Sequence, residues 1–166
     1  MKEKRRIYYV TNELITAIEA MDPEILAGGL ILVAGIFAAV MALGVIRYLL
    51  TAIGYSKMYR KAGIAPWKAF IPVYNTYNNY KLSWNVEMFA LSVILYMLVN
   101  SLAGAEALVA QLAAAAAGIT LIVVMVKQNI MMAKLFGKGA GTGIALMFFP
   151  GITSLILGLG KAEFQK

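Results

Sequence analysis

Residues 25–46 form a run without a single charged side chain, and this run constrains the fold more than any other feature. An α-helix rises about 1.5 Å per residue, so a run of this length can cross the roughly 30 Å hydrocarbon core of a bilayer. Further apolar runs follow it. Only 14% of the residues are charged and the mean hydropathy is +0.77, which is too little charge to cover an ordinary soluble domain. We therefore expect an integral membrane protein.

Four apolar segments predict an all-α fold, a polytopic bundle of transmembrane helices within a domain of residues 23–166. The last segment contains Pro150 and several glycines, which predict a broken helix whose freed backbone groups are satisfied by protein or trapped water. We expect this segment to cross the membrane fully, with a re-entrant hairpin as the alternative. The four predicted spans cover residues 25–48, 88–103, 107–127 and 139–160.

Residues 1–22 form a separate amphipathic segment before the first span. Apolar side chains recur there at spacings of three and four, the period of one helix face. The pattern predicts a short helix at the membrane interface, and the alternative is a solvated leader that extends the first span. The apolar positions are Ile7, Val10, Leu14, Ile18 and Met21.

Positive charge is concentrated in the two longer connections between the predicted spans, and the chain carries a net charge of +7. Short loops rich in lysine and arginine stay on the cytoplasmic side, so we expect both basic connections to be cytoplasmic and the N-terminus to be external. We find no nucleic-acid-binding motif, and expect the basic side chains to meet lipid headgroups or other anions instead. These candidate contacts are Arg60, Lys61, Lys68, Lys134 and Lys138.

Residues 60–84, which we call the docking segment, form the longest interruption between apolar runs and contain no acidic residue. Their tryptophan and tyrosine rings are of the kind that settles at headgroup depth. Three interpretations remain open: an interfacial anchor helix, a docking surface for a partner, or a ring around the cytoplasmic mouth of a pore. The candidate residues of this element are Trp67, Pro72, Tyr74, Asn75, Tyr77 and Trp84.

An internal similarity links the docking segment to the last predicted span. Residues 62–72 align without a gap on residues 140–150, with alanine, glycine, phenylalanine and proline coinciding. If the similarity reflects a duplication, the docking segment is a partly membrane-inserted, re-entrant element.

The chain lacks the side chains that most catalytic and metal sites use. It contains no cysteine and no histidine, which removes thiol catalysis, the commonest metal ligand and the usual general base at neutral pH. Asp22 is the only aspartate, so one chain cannot form an aspartate pair. We expect no catalytic residue, no metal and no cofactor.

Two motifs resemble a known family. Residues 62–75 read A-G-x-x-x-W-x-A-x-I-P-x-Y-N and residues 133–138 read A-K-x-F-G-K, followed by Pro150 and a late Leu-Gly pair. Over residues 55–164 the chain resembles an uncharacterised family of small bacterial multi-span membrane proteins, some of which are joined to or described as signal peptidase I. The resemblance implies a bacterial cytoplasmic membrane protein without an established activity. No serine-lysine motif of signal peptidase is evident, and the charged leader before Asp22 departs from the family pattern.

The expected function is that of a membrane protein without catalysis. Our first hypothesis is a small homo-oligomeric channel or permeation protein with the docking segment at its cytoplasmic mouth. The alternative is an accessory or scaffold subunit of protein-processing or envelope machinery, with a membrane-protein partner. A third hypothesis is a protein that binds anionic membrane lipids.

Overall fold

The computed structural model describes residues 2–20 and 22–165, and these residues form α-helices joined by short connections. The described residues contain no β-strand, so the predicted all-α fold is confirmed. The helices are α1 (Lys2–Glu19), α2 (Pro23–Lys61), α3 (Pro72–Ser83), α4 (Val86–Leu102), α5 (Leu108–Lys134), α6 (Ala140–Phe148) and α7 (Pro150–Leu159), with a 3-10 helix at Pro66–Phe70.

The chain divides into two compact units, Met1–Val45 and Ile46–Lys166, and α2 runs through the boundary. In the first unit the α1 side chains of Ile7 and Val10 are exposed. Met21 and the side chains of Leu14 and Ile18 lie outside the described residues, so the amphipathic face is observed only in part. Nearly all α2 side chains of this unit are exposed, as expected for a helix that meets lipid or a partner.

Two helices, α2 and α5, are long and apolar enough to cross a membrane. With 39 residues, α2 is about 58 Å long. It continues to Lys61, well beyond residue 48 where the sequence placed the end of the first span. The extension exists because small and aromatic residues, among them Ala52, Gly54 and Tyr55, are buried in the second unit. In the same way α5 continues past residue 127 to Lys134.

The core of the second unit lies where the C-terminal part of α2 meets α5, α6 and α7. Large side chains at this junction are fully enclosed, and Ile64, Leu82 and Phe164 pack around them. The core consists of Tyr55, Met58, Tyr59, Ala69, Met132, Phe136, Leu146 and Leu157.

Glycines bring these helices into backbone contact at two crossings. A Cβ atom on Gly54 of α2 would lie 2.7 Å from the Ser154 carbonyl carbon of α7, and one on Gly143 of α6 would lie 2.4 Å from Ile130 Cα of α5. Carbon atoms in contact are normally about 3.5–4.0 Å apart. Both crossings therefore require the absence of a side chain.

The last predicted span, residues 139–160, consists of two helices that meet at Phe149 and Pro150. Proline has no N–H to donate within a helix but fits the first helical position, where no such bond is needed. Pro150 accordingly ends α6 and begins α7, in agreement with the predicted broken helix. Pro72 occupies the same position in α3, although residues 62–71 and 140–149 differ in conformation. The internal duplication stays a prediction.

Candidate functional site

The docking segment is an ordered turn of helix followed by a short α-helix. Residues Pro66–Phe70 form the 3-10 helix, and Ile71 is extended with φ −104° and ψ 113°. An extended residue is expected before a proline, because the proline ring crowds the helical conformation of its predecessor. Pro72 then begins α3, which ends where the Trp84 N–H donates to the Tyr80 carbonyl.

Two tyrosines of α2 form hydrogen bonds with this segment. The Tyr59 hydroxyl, on a fully buried side chain, lies 2.7 Å from the Asn75 carbonyl oxygen, 2.6 Å from Asn75 Oδ1 and 2.8 Å from Asn79 Oδ1. A phenol has one proton to donate, so these three acceptors share it. The Tyr48 hydroxyl donates to the Phe70 carbonyl. The middle of the segment is therefore bonded to α2 at Phe70 and again at Asn75 and Asn79.

The outer side of the segment presents a small aromatic and basic surface. Trp67 is 55% exposed and Tyr74 is 46% exposed, with ring centroids 5.9 Å apart. Lys68 Nζ lies 5.9 Å from the Tyr74 ring centroid, within the range of a cation–π contact. We call Trp67, Lys68 and Tyr74 the aromatic surface.

Of the other candidate residues of the docking segment, Tyr77 adjoins this surface, with its ring centroid 6.4 Å from that of Tyr74, whereas Asn75 and Trp84 make their contacts elsewhere. Asn75 is turned inward to Tyr59. Tyr77 packs edge to face against Phe89 of α4, with centroids 5.6 Å apart. Lys127 Nζ covers the Trp84 ring at 4.3 Å. Pro72 sets the start of α3, so the predicted residues lie on one short segment but do not share one face.

The predicted anion contacts also separate into two kinds. Lys61 Nζ donates to the carbonyls of Leu157, Gly160 and Ala162, each at 2.8 Å. The last carbonyls of a helix lack intrahelical partners and carry partial negative charge, so Lys61 caps the end of α7. Its ammonium group is occupied by protein, whereas the side chains of Arg60, Lys134 and Lys138 are exposed and that of Lys68 is half-buried.

Sequence reasoning missed both Tyr59 and the capping role of Lys61. The spacing of Tyr55 and Tyr59, four residues apart and beside Gly54 and Ser56, is the signal that could have indicated a buried helix face after residue 48. The partner carbonyls of Lys61 are 96 to 101 positions away along the chain, and no local pattern announces them.

Among the described residues, no group of three or more histidine, cysteine, aspartate or glutamate side chains lies close enough together to hold a metal ion. The docking segment instead holds aromatic rings and a lysine at an exposed surface. It offers a surface for binding.

Comparison with known proteins identifies a family for the C-terminal part of the chain. Residues 67–166 match the model of a family of unknown function, DUF5684. Neither the search of curated proteins nor the search of solved structures returned a match. The match covers more than half of the chain and agrees with the predicted membership of an uncharacterised family. The loop motif as a characteristic of the family and the link to signal peptidase I stay predictions. The chain belongs to the family of unknown function DUF5684.

Proposed function

We propose that this protein is an integral protein of the bacterial cytoplasmic membrane that crosses it three times and adds a re-entrant hairpin near its C-terminus. The apolar helices α2 and α5 supply two crossings. The 17 residues of α4 are about 25 Å long and supply a third. The segment of α6 and α7 begins and ends on the same side, because the Lys61 ammonium bonds to the Leu157 carbonyl and the Gln165 N–H to the Leu135 carbonyl. These contacts favour the re-entrant hairpin over the full fourth span that we expected from the sequence. The lysines and arginines around α3 and after α5 favour a cytoplasmic position for both connections, with the N-terminus outside.

Within this topology the protein acts as a non-catalytic accessory subunit that docks a membrane-protein partner through the aromatic surface. The observation that carries the proposal is the exposure of Trp67 and Tyr74 on a segment whose backbone is fixed by Tyr48 and Tyr59. Exposed tryptophan and tyrosine rings on a rigid support are the commonest anchors of protein interfaces, because little conformational entropy is lost when they bind.

The interior of the second unit favours the accessory role over a pore within one chain. Its buried polar side chains bond to other protein groups: Tyr59 to Asn75 and Asn79, and Gln128 to Ser83. Every fully enclosed side-chain nitrogen or oxygen in the described part of the chain has a partner. Buried polar groups that bond to one another give no support to a pore within one chain, so we place the accessory role before the channel.

The docking proposal is tested by purifying the protein with its native membrane neighbours in mild detergent. We expect a partner at fixed stoichiometry that is lost from the double variant Trp67→Ala/Tyr74→Ala. The control is Phe148→Ala, which removes a ring of α6 that is 64% exposed. Retention of the partner by the double variant would rule out the aromatic surface as the docking site.

A homo-oligomeric channel remains the second candidate, because one observation favours it. Ala34, Ala38 and Ala42 lie on one face of the exposed part of α2, and small residues four apart let helices approach closely in lipid. A pore formed between copies would predict a defined oligomer in detergent and ion flux in liposomes. A strictly monomeric protein without flux would eliminate this candidate.

A further inference from the structure

A lateral groove of about 620 Å³ lies between α3, α4 and α5, apart from the aromatic surface. Its volume falls within the range of roughly 300–1,000 Å³ that is usual for sites of small ligands. The groove is partly open to the outside, and most of its wall is apolar. It therefore has the size and the lining of a site for an amphipathic molecule.

Polar side chains gather at one end of the groove although they are almost fully buried. Tyr80, Ser92, Gln128 and Asn129 line it, and each is less than one-tenth exposed. Burial raises the pKa of the Tyr80 phenol above its usual value, so this group stays protonated and able to donate a hydrogen bond. A cluster of buried polar groups in an apolar wall is costly unless each group finds a partner.

Two of these groups lack a partner for one of their atoms. Gln128 Nε2 donates to Ser83 Oγ at 3.2 Å, and Asn129 Nδ2 donates to the Met125 carbonyl at 2.9 Å. The carbonyl oxygens of the two amides receive no hydrogen bond from the described residues. Fully enclosed side-chain oxygens there all have partners, so these two oxygens reach accessible space, and both residues line the groove. Both oxygens can therefore accept a hydrogen bond from a bound molecule.

Along α5 the lining of the groove changes from polar to apolar. The helices α4 and α5 are joined by a short connection and pack side by side, so they run antiparallel. From Asn129 the lining continues along α5 through Met125 to Leu121, a distance of roughly 12 Å. On α4 the lining passes from Ser92 to Val93 and then to the ring of Tyr96, which carries one hydroxyl. A ligand with one polar end and one hydrocarbon chain matches this gradient.

The lining contains no lysine, arginine, aspartate or glutamate. A charged headgroup in this place would lose its hydration without gaining a counter-ion, which is costly. The complementary headgroup is uncharged and donates hydrogen bonds.

We propose that this groove binds a neutral glycerolipid, with one acyl chain along Met125 and Leu121 and a glycerol hydroxyl donating to the free amide oxygens of Gln128 and Asn129. This binding site is independent of the docking proposal, because it uses other residues and needs no protein partner. It assigns to the protein a preference among membrane lipids.

The test is a titration of the full-length protein in detergent with 1-oleoylglycerol, followed by native mass spectrometry. We expect one bound lipid per chain. Met125→Trp places a large ring in the groove and should weaken binding at least tenfold. Ile119→Trp places the same ring on an exposed position of α5 outside the groove and should leave binding unchanged. Gln128→Leu should weaken binding about fivefold through the loss of one hydrogen bond.

Four results would overturn the proposal. They are the absence of saturable one-to-one binding, an equal loss of binding in both tryptophan variants, and equal or tighter binding of a lysophosphatidylglycerol with the same oleoyl chain. The fourth is a dimer of the wild-type protein that Met125→Trp dissociates, because the groove would then be an interface between copies. The Met125 and Ile119 side chains are both partly exposed, so neither variant needs to repack the core.

Discussion

Replacing Gly143 with alanine is expected to destabilise the Ile46–Lys166 unit, because α5 and α6 touch through their backbones at this position. The new Cβ atom would lie 2.4 Å from Ile130 Cα, 2.7 Å from Ile130 N and 2.9 Å from Ile130 Cγ1. Two of these three atoms belong to the backbone of α5. A rotamer change cannot move them, so the helices must separate by about 1 Å to restore normal contact.

The size of the effect follows from two opposing terms. Overpacking of a tight contact costs about 1–3 kcal/mol, whereas alanine gains roughly 0.5–1 kcal/mol over glycine inside a helix. Gly141 of the same helix provides the matched control, since a Cβ there meets no atom within 4 Å. We expect Gly143→Ala to lower the free energy of unfolding by about 1–2 kcal/mol and Gly141→Ala to leave it unchanged or raise it slightly.

Both variants can be measured by reversible unfolding in mixed micelles, with tryptophan fluorescence and circular dichroism as probes. The double variant Gly143→Ala/Ile130→Ala should not regain the lost stability, because trimming the Ile130 side chain leaves its backbone in place. Equal stability of Gly143→Ala and Gly141→Ala would refute the backbone contact between α5 and α6. Rescue by Ile130→Ala would show that the contact is made by the side chain instead.

Three further predictions follow from the docking segment and its support. Tyr59→Phe leaves buried acceptors without a donor and should lower the free energy of unfolding by about 1–3 kcal/mol, measured in the same unfolding assay. Lys61→Met removes the cap of α7 and should cost about 1 kcal/mol, whereas Lys134→Met, at an exposed position, should cost almost nothing. If the docking segment is re-entrant, a thiol introduced by Phe70→Cys should be protected from aqueous maleimide in proteoliposomes. Rapid labelling of this thiol would exclude a re-entrant segment. Ala69→Cys cannot serve the same purpose, because Ala69 is buried in protein.

The apolar helices α4 and α5 could be located from sequence because charges bound them locally. Val86–Leu102 begins beside Glu87, and Leu108–Lys134 follows Glu106. Their starts lie within two residues of the predicted ones. Whether an apolar run leaves water depends on its own composition. Its position can therefore be predicted from the local sequence, without knowledge of the rest of the chain.

The extension of α2 could not be predicted in this way. Residues after Tyr48 are mixed in polarity, and they remain helical because one face is buried against α7 and the docking segment. The orientation of Asn75 could not be predicted either. Asn75 and the exposed Tyr74 are neighbours on one helix, and Asn75 faces inward because Tyr59 lies on that side. Tertiary contacts of this kind leave no periodic pattern in a short, tyrosine-rich helix.

The central claim is that the chain crosses the membrane with its basic connections in the cytoplasm, and single-cysteine labelling tests it most directly. The protein has no natural cysteine, so each introduced thiol reports one position. We predict that a membrane-impermeant maleimide labels Glu106→Cys on intact spheroplasts, whereas Trp67→Cys and Lys138→Cys react only after the membrane is permeabilised. Labelling of Trp67→Cys or Lys138→Cys from outside, with Glu106→Cys protected, would contradict the topology. Equal labelling of all three without permeabilisation would contradict membrane insertion itself.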